Sequence, residues 1–171
     1  ASPRIGARRW YVPGVKVVVN ASYTPSLINF RGPLIEAMLG RGHDVIAVGP
    51  EKDQQTVDAL AAMGVRFERV ALDRTGLSPL RDVRYLAAMT RLLRAERPDA
   101  VLSYTIKPNV YGTIAARLAG VPTRAAMVEG MGYAFGASSL RQRLVGTVAT
   151  LLYRSGFAAA RTKAEQTAAA V

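Results

Sequence analysis

Residues 16–20, Lys-Val-Val-Val-Asn, decide the fold. Three β-branched residues in a row suit a pleated backbone, and a short apolar run without polar alternation belongs to a strand buried on both faces, as in a parallel sheet. Outward from it, the chain between Val15 and Val128 alternates such runs with longer amphipathic segments, the pattern of βαβ units. Strands are expected at 16–20, 44–49, 65–70, 100–104 and 124–128. Helices are expected over 29–41, closed by Gly40 and Gly42, and over 53–63, ending at Gly64. A long one follows over 78–96, with Ser78 as N-cap and Pro79 in the first turn, and another over 109–119, stopped by Gly120 and Pro122. Together they specify an α/β, Rossmann-like, doubly wound parallel sheet of order 3-2-1-4-5.

With 171 residues, 50% hydrophobic and 20% charged, the chain has the length of one domain with a substantial core. It has no cysteine, which excludes disulfides, thiolate metal sites and cysteine nucleophiles. A single histidine, His43, argues against histidine-rich zinc centres and histidine-dependent hydrolase triads, so no metal site is expected. His43 follows a helix-ending glycine and precedes a strand, away from any crevice, and reads as structural. No apolar run approaches the roughly 20 residues needed to span a bilayer, and the first residues lack the apolar centre of a secretory signal. A soluble or peripheral protein is expected.

The net charge is +11, and much of the excess lies at the two ends. Arg4, Arg8 and Arg9 fall in a basic extension, residues 1–14, while Arg141, Arg143, Arg154, Arg161 and Lys163 face only Glu165 near the other end. Such ends suit anionic lipid, nucleic acid or a phosphorylated substrate alike. Arg81, Arg84, Arg91 and Arg94 gather opposite an apolar stripe on the 78–96 helix and read as a solvated face. Leu140, Leu144, Val148, Leu151 and Leu152 keep helical spacing, compatible with a last helix on the sheet or a docking helix. The domain is expected to span 15–157, followed by an alanine-rich tail over 158–171.

Doubly wound sheets bind ligands beyond the carboxyl ends of their strands, where strand order reverses, here between the first and fourth strands. Three loops should face that point: 21–32, 105–109 and 129–135. The first precedes a helix N-terminus able to hold an anion. It lacks G-x-G-x-x-G, and the chain has no G-x-x-x-x-G-K-[ST], which disfavours simple NAD enzymes and P-loop proteins. In the second, Lys107 and Asn109 stand at the mouth of a helix, where a cation and backbone donors can jointly contact phosphate. An exposed lysine and an N-capping asparagine are the structural alternative. In the third, Gly130 and Gly132 let backbone approach a ligand, and the Glu129 carboxylate could accept a hydrogen bond from a substrate hydroxyl or help remove its proton. Glu129 could equally satisfy backbone amides or pair with Lys107.

Four stretches, RGPLIEAMLGRGHDVIAVGPE, RTGLSPLRDV, RPDAVLSYTIKPNVYGTIAARLAGVP and VEGMGYAF, resemble the N-terminal half of a family 4 glycosyltransferase of the two-domain GT-B type. The resemblance covers about residues 15–136 and is strongest to bacterial enzymes that extend lipid-linked sugars for capsule, O-antigen or protein glycosylation. It implies that this half receives a polyprenyl-diphosphate saccharide acceptor while a second domain binds the nucleotide-sugar, with configuration retained and no metal or other cofactor required. It places Asn29, Arg31 and Gly32 in a loop facing the cleft, Lys107 and Asn109 near the acceptor, and Glu129, Gly130, Gly132 and Tyr133 beside the reacting sugars. Glu129 is the catalytic candidate, orienting the acceptor hydroxyl if the leaving phosphate takes its proton. A complete enzyme of this type is about twice this length, so the chain is expected to be a half that transfers no sugar alone, at the cytoplasmic face of the inner membrane. Two rivals stand beside this reading: a basic nucleic-acid-binding module, which the absence of a recognised motif disfavours, and a free-standing sugar-nucleotide-binding domain.

Overall fold

The computed structural model describes residues 14–74 and 78–127. Five parallel strands, β1 (Lys16–Asn20), β2 (Asp44–Gly49), β3 (Arg66–Arg69), β4 (Ala100–Tyr104) and β5 (Thr123–Met127), form one sheet in the order β3-β2-β1-β4-β5. The order inferred from the alternating pattern is the order found, and each strand lies within a residue of its expected place. β1 is central because its valines are buried on both faces. Val17 and Val19 pack with Leu27, Ile35, Val45, Ala47 and Leu60, and Val18 packs with Ile46, Val48, Tyr85, Met89, Leu93 and Val101. Each fully buried aliphatic side chain contributes about 1.5–3 kcal/mol, and the alternation fixes the register: a one-residue slip would exchange the two cores.

Helices α1 (Ser26–Asn29), α2 (Gly32–Gly40) and α3 (Gln54–Ala62) cover the first face; α4 (Pro79–Glu96) and α5 (Thr113–Leu118) cover the second. The single helix expected over 29–41 is in fact two. Pro33 has no N–H to continue a helix from above and restricts the residue before it, so the chain breaks at Phe30–Arg31 and a new helix starts at Gly32. Asp53 caps α3 by accepting from Thr56 N at 2.9 Å, and the Thr56 hydroxyl bond first, with this backbone bond second, holds its carboxyl below the ordinary aspartate range. Ser78 occupies the N-cap position of α4 but its side chain makes no capping bond. The helix expected over 109–119 opens instead with a π-helical turn, Pro108–Gly112, before α5. His43 accepts a hydrogen bond on Nδ1 from Val15 N at 3.3 Å, a structural contact. Most of the basic extension, together with the expected C-terminal helix and tail, lies outside the described residues.

Candidate functional site

β1 and β4, the neighbours at which strand order reverses, each carry a polar residue at or next to the carboxyl end of an apolar run. Asn20 closes β1 opposite Ser103 of β4, and both are fully buried. A buried amide must find partners. Asn20 Nδ2 lies 2.8 Å from the Tyr85 hydroxyl and 3.3 Å from Ser103 Oγ. Burial drives the Tyr85 phenol well above its ordinary range, with the Asn20 bond opposing. Gly112 sits directly over this group: a Cβ there would come within 2.4 Å of Asn20 Nδ2 and 2.9 Å of Ser103 Oγ. Only glycine lets the π-helical turn descend this close, so the turn is seated on the carboxyl ends of both strands.

Above that floor the two loops join. Thr105 Oγ1 donates to Ser22 Oγ at 2.7 Å, tying the first residues after β4 to those after β1. Thr105 holds φ at +71°, an outlier for a β-branched residue, and such strain persists where surrounding structure over-determines it, as at ligand sites. A second tie lies beside it: the Arg31 guanidinium stacks 4.8 Å from the centroid of the Tyr104 ring, and Nη1 donates to Phe30 O at 3.1 Å. The Tyr104 hydroxyl shares a 2.9 Å hydrogen bond with Ser26 Oγ. Burial pushes the Tyr104 phenol up to about 12, partly offset by Ser26 and by the charge of Arg31.

Lys107 is neither exposed nor alone. Its Nζ donates to Asp82 Oδ1 at 2.7 Å in an ion pair whose side chains are 11% and 5% exposed, and Tyr111 donates to Asp82 Oδ2 at 3.2 Å. Burial first, then the charge of Asp82, raises the Tyr111 phenol. An ammonium has three donors, and Asp82 occupies one. Asn109 does not cap a helix: it is buried within the π-helical turn and donates from Nδ2 to Met127 O at 2.8 Å, at the end of β5, where the third loop begins. Gly32 is the buried first residue of α2, and Asn29 is the exposed last residue of α1. Glu129, Gly130, Gly132 and Tyr133 lie outside the described residues. Among the described residues, no three acidic, histidine or cysteine side chains gather as a metal site.

The structure thus brings Arg31, Lys107 and Asn109 into the group of ties that shapes the rim at β1, β4 and β5. It adds Asn20, Ser22, Asp82, Tyr85, Ser103 and Thr105, which the sequence reading left out. Asn20 carried a signal, a polar residue closing the run Val17, Val18 and Val19, and Asp82 carried another, the one acid between Arg81 and Arg94 on α4.

Residues 31–171 match the glycosyl transferase 4-like domain, which covers most of the chain. The chain belongs to this family. It is similar to the N,N'-diacetylbacillosaminyl-diphospho-undecaprenol alpha-1,3-N-acetylgalactosaminyltransferase of Campylobacter jejuni, 29% identical over 132 residues, which take in 77% of this chain and 35% of that protein. The glycosyltransferase domain therefore spans about a third of the length of that relative. Among solved structures it resembles MurG of Acinetobacter baumannii, with a TM-score of 0.53 at 16% identity over 77% of this chain and 38% of that one. A UDP-N-acetylglucosamine 2-epimerase aligns with a TM-score of 0.55 at 17% identity over 81% of this chain and 40% of the other. At such identities these likenesses speak to fold, and the fold is the Rossmann-like half of a GT-B architecture.

Proposed function

We propose that this glycosyltransferase domain receives the acceptor, a polyprenyl-diphosphate-linked saccharide, and that a second α/β domain supplies the nucleotide-sugar. The carrying observation is the Ser22–Thr105 bond at 2.7 Å, which joins the loops after β1 and β4 into one rim over the strand-order reversal. The relative from Campylobacter jejuni, named for action on a diphospho-undecaprenol-linked sugar, supports the acceptor class.

In this reading the diphosphate lies against the rim beside Arg31 and Lys107, where Asp82 holds the Lys107 ammonium in place and leaves two of its donors for phosphate oxygens. Asn29, Gly32 and Asn109 line the same approach, while Gly130, Gly132 and Tyr133 border the reacting sugar. Glu129 orients the acceptor hydroxyl. That oxygen bonds to the anomeric carbon of the donor as the bond to the leaving phosphate breaks, and the phosphate takes the hydroxyl proton, with configuration retained. In this reading acceptor binding belongs to this domain, and transfer needs the second α/β domain as well. The product would enter capsule, O-antigen or a related surface glycan.

The outer face of α4 supports work at the cytoplasmic membrane surface. Leu80 and Val83 are 64% and 61% exposed, beside the exposed Arg81, Arg84 and Arg91. Apolar side chains set among cations suit an anionic bilayer interface. Among the described residues no helix is long and apolar enough to cross a membrane.

Photo-crosslinking tests the assignment. A short-chain prenyl-diphosphate saccharide with a diazirine on its first isoprene unit should label peptides from 21–32 and 105–112. Labelling confined to other strands or helices would overturn it.

A further inference from the structure

Thr24 is fully buried although it lies in the loop after β1, two residues past the rim tie at Ser22. It is buried because it packs on the end of β2. A Cβ on Gly49, the last residue of β2, would come within 2.3 Å of Thr24 Oγ1, so glycine there lets the first loop settle onto the second strand. From that seat Thr24 Oγ1 donates to the main-chain carbonyl of Glu51 at 2.8 Å and accepts from Glu51 N at 3.3 Å. Arg69 Nε adds a 3.0 Å bond to Pro50 O. The two residues that follow β2 are thus held by their backbones, and the rim extends from β4 across β1 to β2.

The Glu51 side chain is the part of this group without a structural task. Oε2 lies 3.1 Å from Thr24 Oγ1, but a hydroxyl has one hydrogen and the Glu51 carbonyl is nearer to it. Oε1 has no hydrogen-bond partner among the described residues, and none of their ion pairs includes this half-buried residue. Asp53, the other acid of the loop, is engaged by Thr56 at the start of α3. An ionised carboxylate only accepts, with about four lone-pair sites, so what Glu51 lacks is donors. Among the described residues it has no set of acids or histidines with which to share a metal. In dinucleotide-binding sheets an acid at this place, after the second strand, accepts from a ribose hydroxyl. Here the glycine fingerprint of such sheets is missing, and the sugar at hand is that of the acceptor. We infer that Glu51 binds the acceptor saccharide, its carboxylate accepting hydrogen bonds from neighbouring hydroxyls of one sugar ring. Two residues span at most about 7 Å, so Thr24, which anchors Glu51, stays within that reach of Ser22 and its tie to Thr105. The charges also set a direction: Arg31 and Lys107 beside β4 attract the diphosphate, and the carboxylate beside β2 repels it. The inference rests on the acceptor reading and adds to it the residue that recognises the sugar.

Isothermal titration of the full chain with two probes tests it: a short-chain prenyl-diphosphate saccharide, and the same prenyl diphosphate with a methyl ester in place of the saccharide, matched in charge. E51A should weaken the saccharide probe by about tenfold or more, as loss of hydrogen bonds to a charged group requires, and leave the methyl probe within about twofold. E51Q, which keeps one acceptor oxygen, should fall between. The bond from Thr24 to the Glu51 carbonyl does not involve the Glu51 side chain, so both variants should keep the wild-type unfolding midpoint. Equal weakening of both probes by E51A, or weakening of neither, would overturn the inference and leave the acceptor reading standing. Weakening of a UDP-sugar alone would also overturn it, assigning the carboxylate to a nucleotide ribose. A wild-type chain that binds neither probe would remove the acceptor reading and the inference together.

Discussion

Lys107 Nζ and Asp82 Oδ1, 25 residues apart in sequence and 2.7 Å apart in space, couple the loop after β4 to the first turn of α4. Both side chains are nearly excluded from water, at 11% and 5% exposure, so removing either partner strands the other. K107M or D82L should each cost about 3 kcal/mol in urea unfolding, and the double variant should recover much of that loss. A loss in the double variant equal to the sum of the two single losses would mean that the charges do not meet.

The floor of the crevice should be intolerant of single atoms. G112A forces a methyl within 2.4 Å of Asn20 Nδ2, and overpacking of this kind costs about 1–3 kcal/mol. Y85F removes the hydroxyl bonded to Asn20 and should cost about 1–3 kcal/mol by leaving a buried amide short of a partner. Denaturation midpoints measure both, and a neutral G112A would mean that the turn does not sit on the strand ends.

Alkaline stability follows from Tyr104. Its phenol is raised from 10.0 to about 12 by burial, so the unfolded chain releases this proton first as pH rises. The stabilisation is whole below pH 10, declines between 10 and about 12, and is gone above. Y104F should make that decline shallower, and ultraviolet titration should show one late-ionising tyrosine fewer in Y104F than in the wild type. An unchanged slope would assign the decline elsewhere.

Attachment to anionic vesicles should depend on α4. At about 1 kcal/mol per basic residue, R84E with R91E should lower co-sedimentation with phosphatidylglycerol vesicles by about tenfold or more. L80S with V83S should weaken it also, while neutral vesicles bind neither form well. Salt-insensitive binding, or full binding by both variants, would remove the membrane from the account.

The sheet was legible because burial on both faces leaves a plain mark. Val17, Val18 and Val19 have no polar neighbour between them, and glycines and prolines punctuate the units that follow. The break at Phe30–Arg31 was missed because helical periodicity continues through it while Pro33 acts on the backbone alone. The rim was legible as loops, not as bonds. Nothing in spacing links Ser22 to Thr105 or Asp82 to Lys107, since both contacts arise from strand order, and Asp82 was hidden in a helix whose arginines dominate its polar face. The positive φ at Thr105 runs against its residue type, which is why no local rule could anticipate it.

Isothermal titration of the chain with two ligands, a short-chain prenyl-diphosphate saccharide and the UDP-sugar, tests the acceptor reading most directly. The prenyl-diphosphate saccharide should bind at least about tenfold more tightly than the UDP-sugar, a difference of 1.4 kcal/mol or more, and R31A should weaken it. Tight binding of the UDP-sugar with no heat from the prenyl-diphosphate saccharide would contradict it.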